Sequence, residues 1–121
     1  MNRPFHFEFH STDTAATNRF FSDVFGWSMA AFPGGSGYWM ATTGAAEPGI
    51  DGGIMPSRDG QQRTVNTIEV DSVDRVAEVV KAAGGKICVE KMAIPGIGYL
   101  MYATDPTGVL FGFMHEDKAA H

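Results

Sequence analysis

The residues best equipped for chemistry open the chain. Phe5-His6-Phe7-Glu8-Phe9-His10 alternates strictly between aromatic and titratable side chains, the period of a strand with two unlike faces. Phe5, Phe7 and Phe9 point one way, and His6, Glu8 and His10 the other. Imidazoles beside a carboxylate can hold a metal, move protons or simply face water. Side chains two apart on a strand stand roughly 6.5–7 Å from each other, which places the two histidines on the order of 13 Å apart. A metal–nitrogen bond is only about 2.1 Å long, so one ion is not easily held by both rings. A neighbouring pair from this trio joined by Glu69 is the metal arrangement that the spacing leaves open. Glu8 and Glu69, if set in partly apolar surroundings, are also candidates for acid–base work.

These residues must be positioned by a small number of short elements. After the first strand, Ala16, Phe20, Phe21 and Val24 fall at helical spacing, with Thr12 or Asp13 as cap and Gly26 as stop. Strands are expected around 28–32, 38–43 and 52–55, separated by turns rich in Gly and Pro. The polar stretch 57–63 reads as a linker, and then the pattern restarts. A strand over 65–71 leads to a helical stripe of Val73, Val76, Ala77, Val80 and Ala83, stopped by Gly84-Gly85. Three more strands follow around 86–90, 99–103 and 109–114, and residues 116–121 form a tail expected to be exposed and frayed. A shift of 59 residues carries Phe9 onto Ile68, Phe21 onto Val80, Gly26 onto Gly85 and Met55 onto Met114, with no gap from first strand to last. The chain therefore reads as one domain of two βαβββ modules, about 5–56 and 64–115. One module is too small to bury its own sheet.

Composition narrows the class. With 121 residues, 44% of them hydrophobic and 19% charged, the chain has the balance of a globular fold. Nine Phe, two Trp and three Tyr carry more apolar surface than a disordered chain does. No apolar run approaches the roughly 18 residues of a membrane span, and the first residues lack the pattern of a secretory signal. The net charge of −5 and the scattering of nine Lys and Arg argue against nucleic acid as a partner. A single cysteine, Cys88, makes no internal disulfide, which fits a cytoplasmic setting, and a buried inert thiol is the expected role.

Two motifs add a resemblance. The first helix closes on Phe-Phe-x-x-Val-Phe-Gly-Trp (Phe20–Trp27), and Asp-Pro-Thr-Gly (Asp105–Gly108) precedes the last strand. Both lie within the duplicated βαβββ pattern, and together they resemble the vicinal-oxygen-chelate superfamily of glyoxalase I, bleomycin-resistance proteins and extradiol dioxygenases. The likeness covers about residues 5–115 and is closest to small bacterial glyoxalase-like proteins. It implies an α+β fold of two tandem βαβββ modules forming a curved mixed sheet around a cleft, in a homodimer. It also implies metal ligands on the first and last strands of each module. Those positions are His6, Val65, Gly53 and Gly112 here, and only His6 can bind a metal.

The expectation that follows is a protein binding a small organic molecule without a divalent metal or other cofactor. His6, Glu8, Trp39, Thr67, Glu69 and Tyr102 would line the site, with Leu100, Leu110 and Met114 nearby. Tyr38, Tyr99 and Met101, of opposite parity, would pack under the helices, and Phe20, Phe21 and Phe25 would be core. If the protein is an enzyme, lyase- or isomerase-type acid–base chemistry by His6 and Glu8 is the first expectation. The alternatives are a metal-dependent lyase or dioxygenase with a rearranged site, and a resistance protein that sequesters a drug or toxin.

Overall fold

A computed structural model describes all residues, Met1–His121, and its backbone contacts separate the chain into two units. The first is Phe5–Val65; the second is Asn66–His121 together with Met1–Pro4. The fold is α+β, with two helices and eight strands paired in both parallel and antiparallel fashion. Stretch 57–62 belongs to the first unit and is held as a turn, in which Asp59 accepts two hydrogen bonds from the Arg63 guanidinium at 2.8 and 2.9 Å.

In the first unit the elements run β1 (Arg3–Ser11), α1 (Thr14–Phe25), β2 (Ser28–Ala31), β3 (Trp39–Thr42) and β4 (Gly52–Pro56). The sheet order is β2-β3-β4-β1, with β1 and β4 parallel. The aromatic face of β1 builds the layer against α1. Phe9 meets Phe21 at 4.8 Å between ring centroids, and Phe7 meets Trp27 at 5.5 Å, while Phe21 stacks on Trp27 at 5.0 Å. Asp13 caps α1 by accepting from the Ala16 amide at 3.1 Å, and Gly26 ends it in the left-handed region at φ 75°.

The rotation of α1 differs from the expected one. Its inward stripe is Thr14, Thr17, Asn18 and Phe21, and no residue of the helix is fully buried. Ser11 reaches Thr17 in a hydroxyl–hydroxyl bond of 2.7 Å, which helps fix this orientation. Phe21 therefore joins the aromatic layer, whereas Phe20 and Phe25 are 57% and 61% exposed rather than core. The apolar spacing of 16, 20 and 24 lies on the outer surface of the helix.

The second unit repeats the plan with β5 (Arg63–Glu69, its first three residues counted with the first unit), α2 (Val73–Ala82), β6 (Lys86–Ile94), β7 (Gly98–Thr104) and β8 (Leu110–Glu116), in the order β5-β8-β7-β6. Here the expected stripe holds as far as Val80: Val73 and Ala77 are buried, and Val76 and Val80 pack beside them on Met101, Ala103 and Phe113, whereas Ala83 caps the helix end and is exposed. Tyr99 and Met101 belong to this layer, as parity predicted. Two expectations fail at the periphery. Cys88 is exposed, because Ile87 and Val89 take the partly buried positions of β6. The tail is tied down: the Gly96 amide donates to the Ala120 carbonyl at 2.9 Å, the Asp117 amide donates to the Ile97 carbonyl at 2.8 Å, and Ala120 is buried.

The two units are not related by one gapless shift. Glu8, Gly53 and Met40 lie in register across β1, β4 and β3, and Thr67, Gly112 and Tyr102 lie in register across β5, β8 and β7. Glu8 to Thr67 and Gly53 to Gly112 keep the shift of 59, but Met40 answers to Tyr102, a shift of 62. The extra residues sit before β7 and are taken back in the short turn between β7 and β8.

His115 is a further tie within the second unit, since its Nδ1 accepts from the amide of Val73, the first residue of α2, at 2.9 Å. Val73 is completely buried, so no solvent can replace that acceptor. Replacing His115 by Ala should lower unfolding free energy by about 1–3 kcal/mol, measured from urea denaturation followed by circular dichroism. A smaller loss than that of the Ser72→Ala cap variant, about 1 kcal/mol, would mean the bond contributes little.

Candidate functional site

On the sheet face away from α1, β1 presents His6, Glu8 and His10, and the three differ sharply in exposure. Glu8 is 2% exposed and His10 6%, while His6 is half-buried. A carboxylate so deeply buried is tolerated only if hydrogen-bond donors surround it. His10 Nε2 lies 3.1 Å from Glu8 Oε1, and the Tyr38 hydroxyl donates to Glu8 Oε2 at 3.4 Å. Tyr38 Oη is also 2.7 Å from His6 Nε2. His6, Tyr38, Glu8 and His10 thus form one continuous hydrogen-bonded chain.

Tyr38 reaches this face because of the register. Met40 is opposite Gly53, which is opposite Glu8, so positions of even number at the start of β3 share the face of Glu8. Tyr38 belongs to that set and does not pack under the helix. Trp39 lies opposite Ile54, which is opposite Phe9, and this puts Trp39 on the aromatic face, away from His6 and Glu8. Both expectations fail for one reason: the three-residue offset between β3 and β7 reverses the parity inferred from a gapless repeat.

Gly53 is the position at which the resemblance places an acidic metal ligand, and Tyr38 fills its space. A Cβ added to Gly53 would lie 1.9 Å from Tyr38 Oη and 2.1 Å from Cζ. No side chain at residue 53 can coexist with the tyrosine as it stands. Nowhere do three His, Cys, Asp or Glu side chains converge as a metal site. The donor set does not fit the metal of the family. The sequence signal available for Tyr38 was a glycine at a ligand position together with a tyrosine beside the strand that pairs with it.

Burial and charge tune the chain. Desolvation holds the His6 imidazole below its ordinary value of 6.5, with Glu8 and Asp51 partly offsetting it. Tyr38 is pushed well above its ordinary value of 10.0, first by burial and then by the adjacent Glu8 carboxylate.

The second unit carries its own polar row. Thr67 and Tyr102 are 2% and 3% exposed and flank Gly112, where a Cβ would meet Thr67 Oγ1 and the Tyr102 ring at 3.3 Å. The Thr67 hydroxyl oxygen has no hydrogen-bond partner. Glu69, half-buried, shares this face with Leu100 and Met114. Val65, in the place of His6, is a buried apolar residue.

Two outcomes follow from this geometry. Gly53→Ala should cost about 1–3 kcal/mol of stability by displacing Tyr38, against little change for Gly49→Ala, where an added Cβ meets nothing within 4 Å. Equal urea midpoints for the two variants would contradict the packing. For His6, a native value below 6.5 means that the unfolded chain takes up the proton first. Its contribution is whole above pH 6.5 and is lost as the pH falls towards the native value, with a slope of up to about 1.4 kcal/mol per pH unit. His6→Gln should flatten that acid limb of the stability curve, as read from melts between pH 4.5 and 7.5; an unchanged limb would show that His6 is not its source.

Known proteins bear out the architecture. The sequence profile of the Glyoxalase/Bleomycin resistance protein/Dioxygenase superfamily matches residues 3–113. The chain is 33% identical over 116 residues to CFP32, a protein named as a glyoxylase candidate in Mycobacterium tuberculosis and Mycobacterium bovis. That match takes in 92% of this chain and 44% of CFP32, so the chain spans under half the length of these curated relatives. Among solved structures, the Mn(II)-bound glyoxalase from Novosphingobium aromaticivorans is similar with a TM-score of 0.68 and 25% identity, over 98% of this chain and 40% of that one. Methylmalonyl-CoA epimerase from Mycobacterium tuberculosis shares the fold, with a TM-score of 0.66 and 12% identity over 94% and 87% of the two chains. Matched along nearly its whole length by the family profile, the chain belongs to the glyoxalase/bleomycin resistance protein/dioxygenase superfamily.

Proposed function

We propose that this superfamily member binds a small organic molecule on the His6–Glu8 face of its first unit, and does so without the divalent metal of its metallo-relatives. The observation that carries the reading is the seating of Tyr38. Its hydroxyl occupies the volume of a residue-53 side chain and bonds to His6 Nε2 at 2.7 Å, the one side chain left at a ligand position. A phenol held near an unionised state by burial supplies hydrogen bonds where a carboxylate would supply charge to an ion. His6, half-buried at the open end of the chain, is the contact residue, and Glu8 orders the network behind it. In catalysis, His6 would exchange a proton with the bound molecule, which is isomerase- or lyase-type chemistry. Thr67, Glu69 and Tyr102 are proposed as ligand contacts of the second unit, favoured by the unpartnered Thr67 hydroxyl.

A second copy of the chain is the proposed cover for Phe20, Val24 and Phe25, each more than half exposed on one helix. No helix is long and apolar enough to cross a membrane, and a cytoplasmic setting is proposed for the protein.

Native mass spectrometry tests metal content and assembly together. After incubation with Mn(II), Ni(II), Fe(II) and Zn(II) followed by desalting, the expected species is a metal-free dimer. Phe20→Asp with Phe25→Asp should give monomer. One metal per chain, lost in His6→Ala, would overturn the metal-free reading and turn the search to lyase or dioxygenase substrates.

A further inference from the structure

Helix α1 is inverted in polarity. Its inward stripe of Thr14, Thr17 and Asn18 is joined by one large apolar side chain, Phe21, and the Asn18 side-chain oxygen is buried there without a hydrogen-bond partner. The other three large apolar side chains of the helix, Phe20, Val24 and Phe25, are each more than half exposed. Ala16, Phe20 and Val24 are spaced four apart, so they form one row along the outer surface. An apolar row left outside on a helix whose inner face is polar marks a contact surface.

The charges beside that row say what it contacts. Arg19 and Asp23 occupy the neighbouring row, four residues apart and both exposed. Opposite charges at this spacing pair elsewhere in the protein, Asp59 with Arg63 and Asp71 with Arg75, yet no ion pair joins Arg19 to Asp23. Their order is also the reverse of what a lone helix favours, which is acid towards the N-terminus and base towards the C-terminus. Helix α2 follows the favoured order, with Asp74 in its first turn and Lys81 in its last, whereas α1 has no acid in its first turn and no base in its last. The two charges of α1 thus serve neither its dipole nor each other.

We propose that two copies of the chain cross antiparallel on α1, over the row Ala16, Phe20 and Val24, and that reciprocal Arg19–Asp23 ion pairs seal the contact. The proposal rests on the second-copy reading above and gives it a geometry. A two-fold axis perpendicular to the helix, near the middle of the apolar row, turns a second α1 antiparallel to the first. Arg19 then faces Asp23 of the partner subunit, Asp23 faces Arg19 of the partner subunit, and the apolar rows cover each other. One acid and one base set evenly about an apolar row make the surface complementary to itself, which a two-fold contact requires and a foreign partner does not.

Sedimentation of the full chain over a range of concentrations measures the dimer dissociation constant. Arg19→Asp leaves only acidic side chains at the crossing and Asp23→Arg only basic ones, so each should weaken the dimer about tenfold. The exchange variant, Arg19→Asp with Asp23→Arg, remakes both pairs and should return the constant to within about threefold of the wild type. It also puts acid before base, the order the helix itself favours, so the monomer fold is not weakened by the exchange. Circular dichroism checks the fold of all three variants. A dimer indifferent to the single substitutions, or an exchange variant as weak as they are, would overturn the antiparallel crossing and leave the second-copy reading standing. Wild-type protein that stays monomeric at every concentration would take down that reading, and this inference with it.

Discussion

Glu8 sets the terms for the first unit. A carboxylate that is 2% exposed would cost several kcal/mol if it were left without donors, and the usual way out is to pair it or to neutralise it. Here two side chains from different parts of the chain converge on it, His10 from the same strand and Tyr38 from beyond the first glycine-rich turn. That convergence constrains everything near it. Tyr38 fills the space above Gly53, so residue 53 has to be glycine, and β3 must pair with β4 in the register that brings Met40 opposite Gly53. His6 then finds its partner already in place.

The alternation of β1 makes this possible, because the same strand that buries Glu8 on one face builds an aromatic layer on the other. Phe7 and Phe9 stack against Trp27 and Phe21 at centroid distances near 5 Å, which holds β1 against α1 while its polar face is being ordered. The second unit uses the same frame with the polarity reduced. Val65, Thr67 and Glu69 replace His6, Glu8 and His10, and the buried carboxyl becomes a buried hydroxyl. Its packing is correspondingly more ordinary, with a stripe of α2 seated on Phe113 and Met101.

How much of this was legible in the sequence depends on how local each signal was. The strand period of residues 5–10 and the cap and stop of each helix are set by neighbours within a few residues, and these were readable. So were the stripe of α2 and the faces of Thr67 and Tyr102. The rotation of α1 was not, because Ala16, Phe20 and Val24 face outward and its inward positions, Phe21 apart, are threonine and asparagine. Trp39 and Tyr38 were exchanged because parity on a four-residue strand depends on hairpin length, and a three-residue offset reverses every face downstream. The tie between the tail and the loop at 96–97 joins residues distant in sequence and left no pattern to read.

The replacement of an acidic ligand by Tyr38 is more than the loss of a metal position. A glutamate on β4 would present its carboxylate from the strand itself, whereas the tyrosine reaches the same space from the start of β3 and enters as a donor. That reversal passes along the chain. Tyr38 gives its hydrogen to Glu8 and lies 2.7 Å from His6 Nε2, so the imidazole meets a phenol where the family plan sets a carboxylate beside it. One residue at the start of a neighbouring strand therefore fixes the glycine beneath it and partners the histidine in front of it. The family fold is unaltered by the exchange, because the exchange is confined to side chains on one face of one sheet.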